Sequence, residues 1–188
     1  MNTHVPPARP ATYQDVIDAP SHMVAEIANG RLHLQPRPAS RHSRAAFAMA
    51  GLIHAPFAGS PQAPGAWHFA AGPELHFGDD VLVPDLAGWR RERMPTFPDT
   101  TFATLAPDWA CEILSPSTRR FDLTDKRALY AANAVAHLWL VDPEARTLEA
   151  FTLAAGAWTL AAAFQDGDDI QAAPFEALAF PLNALWPD

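Results

Sequence analysis

Trp109-Ala110-Cys111-Glu112-Ile113-Leu114 is apolar except at one position, and that position is a carboxylate. A short apolar run of this kind reads as a buried strand. An acid inside it is costly unless a cation or a metal neutralises it. Val81-Leu82-Val83-Pro84 is a second apolar run, and it too ends on an acid, Asp85. Leu138-Trp139-Leu140-Val141 is a third, apolar throughout. A chain with these segments must build a sheet and must neutralise the acids placed in it.

Composition points to one partner. Twelve of the thirteen basic residues are arginine, and Lys126 is the only lysine. The chain is rich in Ala and Pro, as in a GC-rich coding background, which turns Lys into Arg wherever either serves. Lysine is a compact point charge with a movable pKa, whereas arginine is a planar fork that stays protonated. The surviving lysine is expected where arginine cannot stand. Two carboxylates on neighbouring strands can hold a hard divalent cation, Mg²⁺ or Mn²⁺, through oxygen ligands. A lysine beside that metal can steady a developing negative charge or orient a water. Asp85, Glu112 and Lys126 thus suit hydrolysis of a phosphodiester.

The rest of the chain supplies a β-rich frame. Residues 1–11 read as a flexible leader and 12–188 as one domain, as 188 residues suit. A short helix is expected over 12–19 and a hairpin over 24–34, turning at Asn29-Gly30. A helix over 40–54, with Ser40 as N-cap, is expected to stop at Pro56. Gly59, Pro61, Pro64 and Gly65 mark a loop over 59–65. Strands follow at 67–77, broken by Gly72-Pro73, and at 81–89, 109–114 and 138–141. A helix over 122–135, with Asp122 as N-cap, separates the last two. Residues 147–153 and 157–164 resemble a hairpin, and a short strand lies near Ile170. Strands with two substantial helices make an α/β or α+β domain on a mixed sheet.

Charge and composition exclude several classes. The net charge is −8, but residues 142–188 carry eight acids and one base, and residues 1–141 thirteen acids and twelve bases. The front is near neutral, and a strongly basic nucleic-acid footprint is absent. No helix-turn-helix or zinc-finger pattern is present. The single Cys111 excludes an internal disulfide and a Cys-rich zinc site. No apolar stretch reaches the ~18 residues of a membrane span, and residues 1–10 lack a signal-peptide core. A cytoplasmic location without membrane association is expected.

Several motifs occur in one order: Pro84-Asp85, Glu112-Ile113-Leu114-Ser115-Pro116-Ser117-Thr118, Asp122-Leu123-Thr124-Asp125-Lys126, Tyr130, and Leu138-Trp139-Leu140-Val141-Asp142-Pro143. With Glu26-Ile27-Ala28-Asn29-Gly30 and Arg41-His42, they resemble the Uma-type restriction endonuclease family of the PD-(D/E)XK nuclease superfamily. The resemblance spans roughly residues 12–155. It implies a restriction-endonuclease-like core, a mixed sheet flanked by helices, with an N-terminal hairpin and extra C-terminal strands. It also implies a metal-dependent endonuclease, a homodimer cutting double-stranded DNA with Mg²⁺ or Mn²⁺. Asp85 and Glu112 would be catalytic metal ligands, and the backbone carbonyl of Ile113 a third ligand. The superfamily lysine should stand two residues after Glu112, where this chain has Leu114. In the Uma-type family the lysine has moved to the following helix, and Lys126 matches it. Glu26 and His42 match family positions. Asp122 and Tyr130 share a helix face with Lys126, at spacings of four, and complete the accessory set. Ala134 replaces a usual glycine and Leu138 a usual aromatic, neither of them within the implied chemistry.

Residue by residue, other readings stay open. Asp85 could be a turn acid, Glu112 a partner for an arginine, Lys126 an exposed helix residue bridging to Asp122, and Tyr130 a core residue. Glu26 could be exposed or site-lining, and His42 structural. Ser115, Ser117 and Thr118 lack a nearby His and read as a loop leading into the helix. Arg90, Arg91, Arg93, Arg119, Arg120 and Arg127 could grip phosphates or simply be solvated. A noncatalytic interaction or scaffold protein on a nuclease-like fold is the alternative function, and hydrolysis of another phosphate ester a third.

Overall fold

The computed structural model describes residues 9–37, 39–58 and 66–186. Most of the expected leader and the loop expected over 59–65 lie outside the described residues. A short helix, α1 (Tyr13–Ile17), leads into a hairpin of β1 (Met23–Ala28) and β2 (Arg31–Pro36). Asn29 and Gly30 turn the chain at φ 53° and 71°, the left-handed pair that a two-residue hairpin turn requires. Helix α2 (Ser40–Ala58) runs through Pro56 instead of stopping there. The proline removes one hydrogen bond of the last turn, while buried Phe57 keeps that turn on the core.

Next come β3 (Trp67–Ala71), β4 (Glu74–Phe77), β5 (Asp80–Leu82), β6 (Leu86–Arg90), β7 (Phe102–Ala103) and β8 (Trp109–Ile113). A continuous helix follows, made of α3 (Arg119–Phe121), a π-helical turn (Asp122–Lys126) and α4 (Arg127–Ala132). The chain ends in β9 (His137–Asp142), the hairpin β10 (Thr147–Ala154) and β11 (Ala157–Gln165), and a small ribbon of β12 (Asp169–Ile170) and β13 (Phe180–Pro181). The larger sheet has the order β11-β10-β9-β8-β6-β3 and the smaller β2-β1-β5-β4-β7. Among the described residues, only β8–β9 in the larger sheet and β4–β7 in the smaller pair in parallel. This is the expected mixed α+β architecture.

The segment 67–77 breaks at Gly72-Pro73 as expected, but 81–89 is also cut in two, and the halves join different sheets. β3 and β6 pair in the larger sheet, β4 and β5 in the smaller. Pro73 and Pro84 lack the N–H that an unbroken ladder needs. At the bend the Gly72 N–H donates to the Asp85 carbonyl at 2.9 Å. Asp85 therefore sits where the chain crosses from one sheet to the other.

The larger sheet is covered on both faces. Met49, Ile53 and Phe57 of α2 pack with Trp67, Trp109 and Trp139 on one side. Phe121, Leu129 and Tyr130 of the second helix, with Leu75 and Leu82 of the smaller sheet, pack on the other. β8 is buried at every residue. Its side chains alternate, so Trp109, Cys111 and Ile113 face α2, and Glu112 shares the opposite face with Ala110.

Candidate active site

Lys126 is the hub. Its Nζ donates to Glu112 Oε1 at 2.8 Å, to the Val83 carbonyl at 3.0 Å and to Glu26 Oε1 at 3.1 Å. An ammonium has three donors, so all three are used, and Asp122 Oδ1 stands 3.7 Å away. Glu26, Glu112, Asp122 and Lys126 are all 3% exposed or less. A guanidinium would not fit this enclosed slot, which gives a physical reason for the one lysine. Tyr130, fully buried, donates its OH to Glu112 Oε1 at 2.5 Å. The Val83 N–H and Gln35 Nε2 donate to Glu26 at 2.7 and 2.9 Å.

Asp122 is not an N-cap. The helix begins at Arg119, so Asp122 lies one turn inside it and is buried. On an α-helix, residues four apart drift by about 40°. Here the turn from Asp122 to Lys126 is π-helical, and the two side chains still meet, 3.7 Å apart. Such turns occur frequently at functional sites.

Asp85 stands at the bend just before β6, the strand that pairs with β8. Its Oδ2 accepts from the Ile113 N–H at 2.7 Å and from His42 Nε2 at 3.0 Å. His42, from the first turn of α2, is 8% exposed, and its Nδ1 is buried without a hydrogen-bond partner. Because a carboxylate only accepts, Nε2 is the donor of this contact. Asp85 Oδ1 and Glu112 Oε2 make no hydrogen bond among the described residues.

Burial dominates the electrostatics. It pushes the pKa of Glu112 well above the usual carboxylate value, and Lys126 only partly offsets this. Burial also raises Glu26 and Asp122. For Lys126 burial works against the charge, but Glu112 and Glu26 outweigh it and hold its pKa well above normal. Burial and then Glu112 push the Tyr130 hydroxyl well up. Four carboxylates thus gather around one ammonium and one imidazole. A divalent cation at such a crowded set of acids would supply the positive charge that their ionised forms lack. Among the described residues, no three His, Cys, Asp or Glu side chains form a ready-made metal cage. Mg²⁺ commonly binds through one or two carboxylates, with water and substrate phosphate completing the shell. The two unbonded oxygens of Asp85 and Glu112 fit that mode.

The family model described as "Uma2: Putative restriction endonuclease" matches residues 10–183. The chain belongs to the Uma2 family. Its fold is similar to a crystal structure from Anabaena variabilis ATCC 29413, described as "a putative nuclease belonging to DUF820". The TM-score is 0.75 at 21% identity, covering 94% of this chain and 98% of that one, and the likeness speaks for the fold alone. No curated protein matches the chain.

The Uma2 site opens into a cleft of about 580 Å³, lined by Glu26, His42, Asp85, Glu112, Asp122 and Lys126 among others. Of the catalytic, metal-ligand and accessory residues named from the sequence, all line this cleft except Tyr130, which stands behind Glu112, and Ile113, whose N–H holds Asp85. Gln35 and the Val83 backbone were missed. Polar Arg31, His33 and Gln35 alternating with Leu32 and Leu34 were the available signal for one face of β2. Most of the candidate phosphate-gripping arginines in this Uma2 chain are engaged elsewhere. Arg93 pairs with Asp108 at 2.8 Å and Arg119 with Asp142. Arg90 stacks on Trp67 and Arg127 on Phe151. Arg91 is half-buried. Arg120 alone of the six lines a cavity next to the cleft.

Proposed function

We propose that this protein is a metal-dependent endonuclease that hydrolyses phosphodiester bonds of DNA. The observation that carries the reading is the buried carboxylate cluster, short of positive charge, at the wall of an open cleft. The family description points the same way. Asp85 Oδ1 and Glu112 Oε2 would hold Mg²⁺ or Mn²⁺, with the Ile113 carbonyl as a third ligand. A divalent cation there supplies Lewis acidity to the scissile phosphate and lowers the pKa of a water.

The chain's own residues do the positioning. The Ile113 N–H and His42 fix Asp85 by one oxygen and leave the other for the cleft. Tyr130 and Lys126 do the same for Glu112. Lys126 keeps its proton at Nζ and sets a fixed positive charge beside the place where phosphoryl charge grows. Glu26, Asp122 and the Val83 carbonyl hold that ammonium in place. Cutting both strands of a duplex calls for two such sites, so the proposed enzyme acts as a homodimer.

Mn²⁺ titration by calorimetry, on wild type and Glu112→Ala, tests the reading together with nicking of supercoiled plasmid. The expected result is saturable binding that the substitution abolishes, and a fall in nicking of at least about a hundredfold. Folded wild type that binds no Mn²⁺ and leaves plasmid intact would overturn the reading in favour of a noncatalytic interaction protein.

A further inference from the structure

The cleft continues past the acids. β2 carries Arg31, His33 and Gln35 on one face, because alternate strand residues point the same way. Gln35 reaches Glu26. Four residues back, about 13 Å at ~3.3 Å per residue, Arg31 lines a second cavity of about 610 Å³. Arg120, at the start of the helix, also lines it, and His33 stacked on Phe121 at 4.1 Å walls it. Ser117 lines both this cavity and the cleft, so the two adjoin there.

The charge of this second cavity is opposite to that of the cleft. Arg120 is exposed, and its side chain has no hydrogen-bond or ion-pair partner among the described residues. Arg31 is 71% exposed and stands 4.0 Å from Asp125, the one acid among the described residues lining the cavity, which also accepts from Asn29. Two guanidiniums against one carboxylate leave local positive charge in a chain whose total is −8.

We infer that Arg31 and Arg120 hold a backbone phosphate of the nucleic-acid strand whose scissile phosphate lies at Asp85 and Glu112, the strand running along β2 past Ser117. The inference rests on the nuclease reading. The offset along β2 places the gripped phosphate on a flanking nucleotide and not at the cut itself. Guanidinium forks match phosphate oxygens and carry no sequence information, so the contact sets register and affinity, not sequence choice.

The test is fluorescence anisotropy with a fluorescein-labelled DNA duplex of about 20 base pairs, in Ca²⁺, across a series of NaCl concentrations. The proteins are wild type, Arg31→Ala/Arg120→Ala, the charge-reversed Arg31→Glu/Arg120→Glu, and Arg146→Ala. Arg146 pairs with Asp166 on the far hairpin and serves as the control. The alanine pair is expected to weaken binding about tenfold at ~0.1 M salt and to reduce the salt slope by about 0.9. Charge reversal weakens binding further, and Arg146→Ala matches wild type. In plasmid nicking, the alanine pair raises KM about tenfold and leaves kcat within about twofold, as uniform binding predicts. Wild-type affinity and slope in the alanine pair, with wild type nicking plasmid, would overturn this inference and leave the nuclease reading standing. Saturable binding of inorganic phosphate that the alanine pair loses, with duplex affinity unchanged, would also overturn it and make the cavity a small-anion site. Wild type that neither binds duplex nor nicks plasmid would overturn both.

Discussion

Glu112 and Asp142 are buried carboxylates on adjacent parallel strands, 2% and 5% exposed. Their surroundings push them in opposite directions. Asp142 Oδ1 accepts the N–H groups of Glu144 and Ala145, both at 2.9 Å, and Oδ2 pairs with Arg119. Burial works against its charge, but these donors outweigh burial and its pKa falls below the usual aspartate value. Glu112 has Lys126 and Tyr130 on one oxygen and shares that lysine with Glu26 and Asp122. Burial wins there, and the pKa rises. Asp142 is satisfied and closes the turn after β9. Glu112 is held in place but left short of positive charge, the condition expected of a group kept for a ligand.

Removing the shared cation should have the largest effect on stability. Lys126→Ala leaves Glu26, Glu112 and Asp122 buried with no ammonium between them. A loss of about 3–5 kcal/mol is expected, read from urea unfolding, together with loss of plasmid nicking. Lys126→Arg should not restore either property, because the planar fork cannot place three donors in a slot 3% exposed.

Asp142→Ala comes next. It removes a charged acceptor for two backbone N–H groups and one guanidinium. The expected cost is about 2 kcal/mol at pH 7, with nicking unchanged. Because the folded pKa is depressed, the stabilisation is fully present above the usual aspartate pKa of 3.8. It fades as pH falls through the lower, folded value. The gap between wild type and Asp142→Ala should therefore narrow on acidification, as measured by urea unfolding at pH 7 and near pH 3. A gap that widens would contradict the account of Asp142.

The same contrast shows what could be read from the sequence. Glu112 was legible because it broke an apolar strand, and Lys126 because it was the only lysine. The order of strands around them was also legible. The splitting of two strands between sheets was not: the break at Gly72-Pro73 was readable but not that its halves join different sheets, and 81–89 read as one strand through Pro84. The burial of Asp122 was not legible either, because an aspartate ahead of a helical pattern looks like a cap. Only the π-helical turn and the earlier start at Arg119 carry it inside. Glu26 reached the site through the hairpin register, in which it faces His33 and lies near Gln35. That register followed from Asn29-Gly30, but where the hairpin docks did not.

The smallest stability change is expected from the substitution that best separates the two acids. Glu112→Gln keeps the volume and an acceptor for the Tyr130 hydroxyl. Lys126 retains Glu26, Asp122 and the Val83 carbonyl, so the change strands no buried charge. It removes one member of a crowded acidic group, and stability should be unchanged or rise by up to about 1 kcal/mol. Mn²⁺ binding and nicking should nevertheless be lost. Asp142→Asn is the matched control, expected to lower stability and spare activity. If Glu112→Gln instead cost more than about 2 kcal/mol and left Mn²⁺ binding intact, Glu112 would be a structural ion-pair partner like Asp142. The difference between the two strands would then be one of degree, and the case for a metal at Glu112 would fail with it.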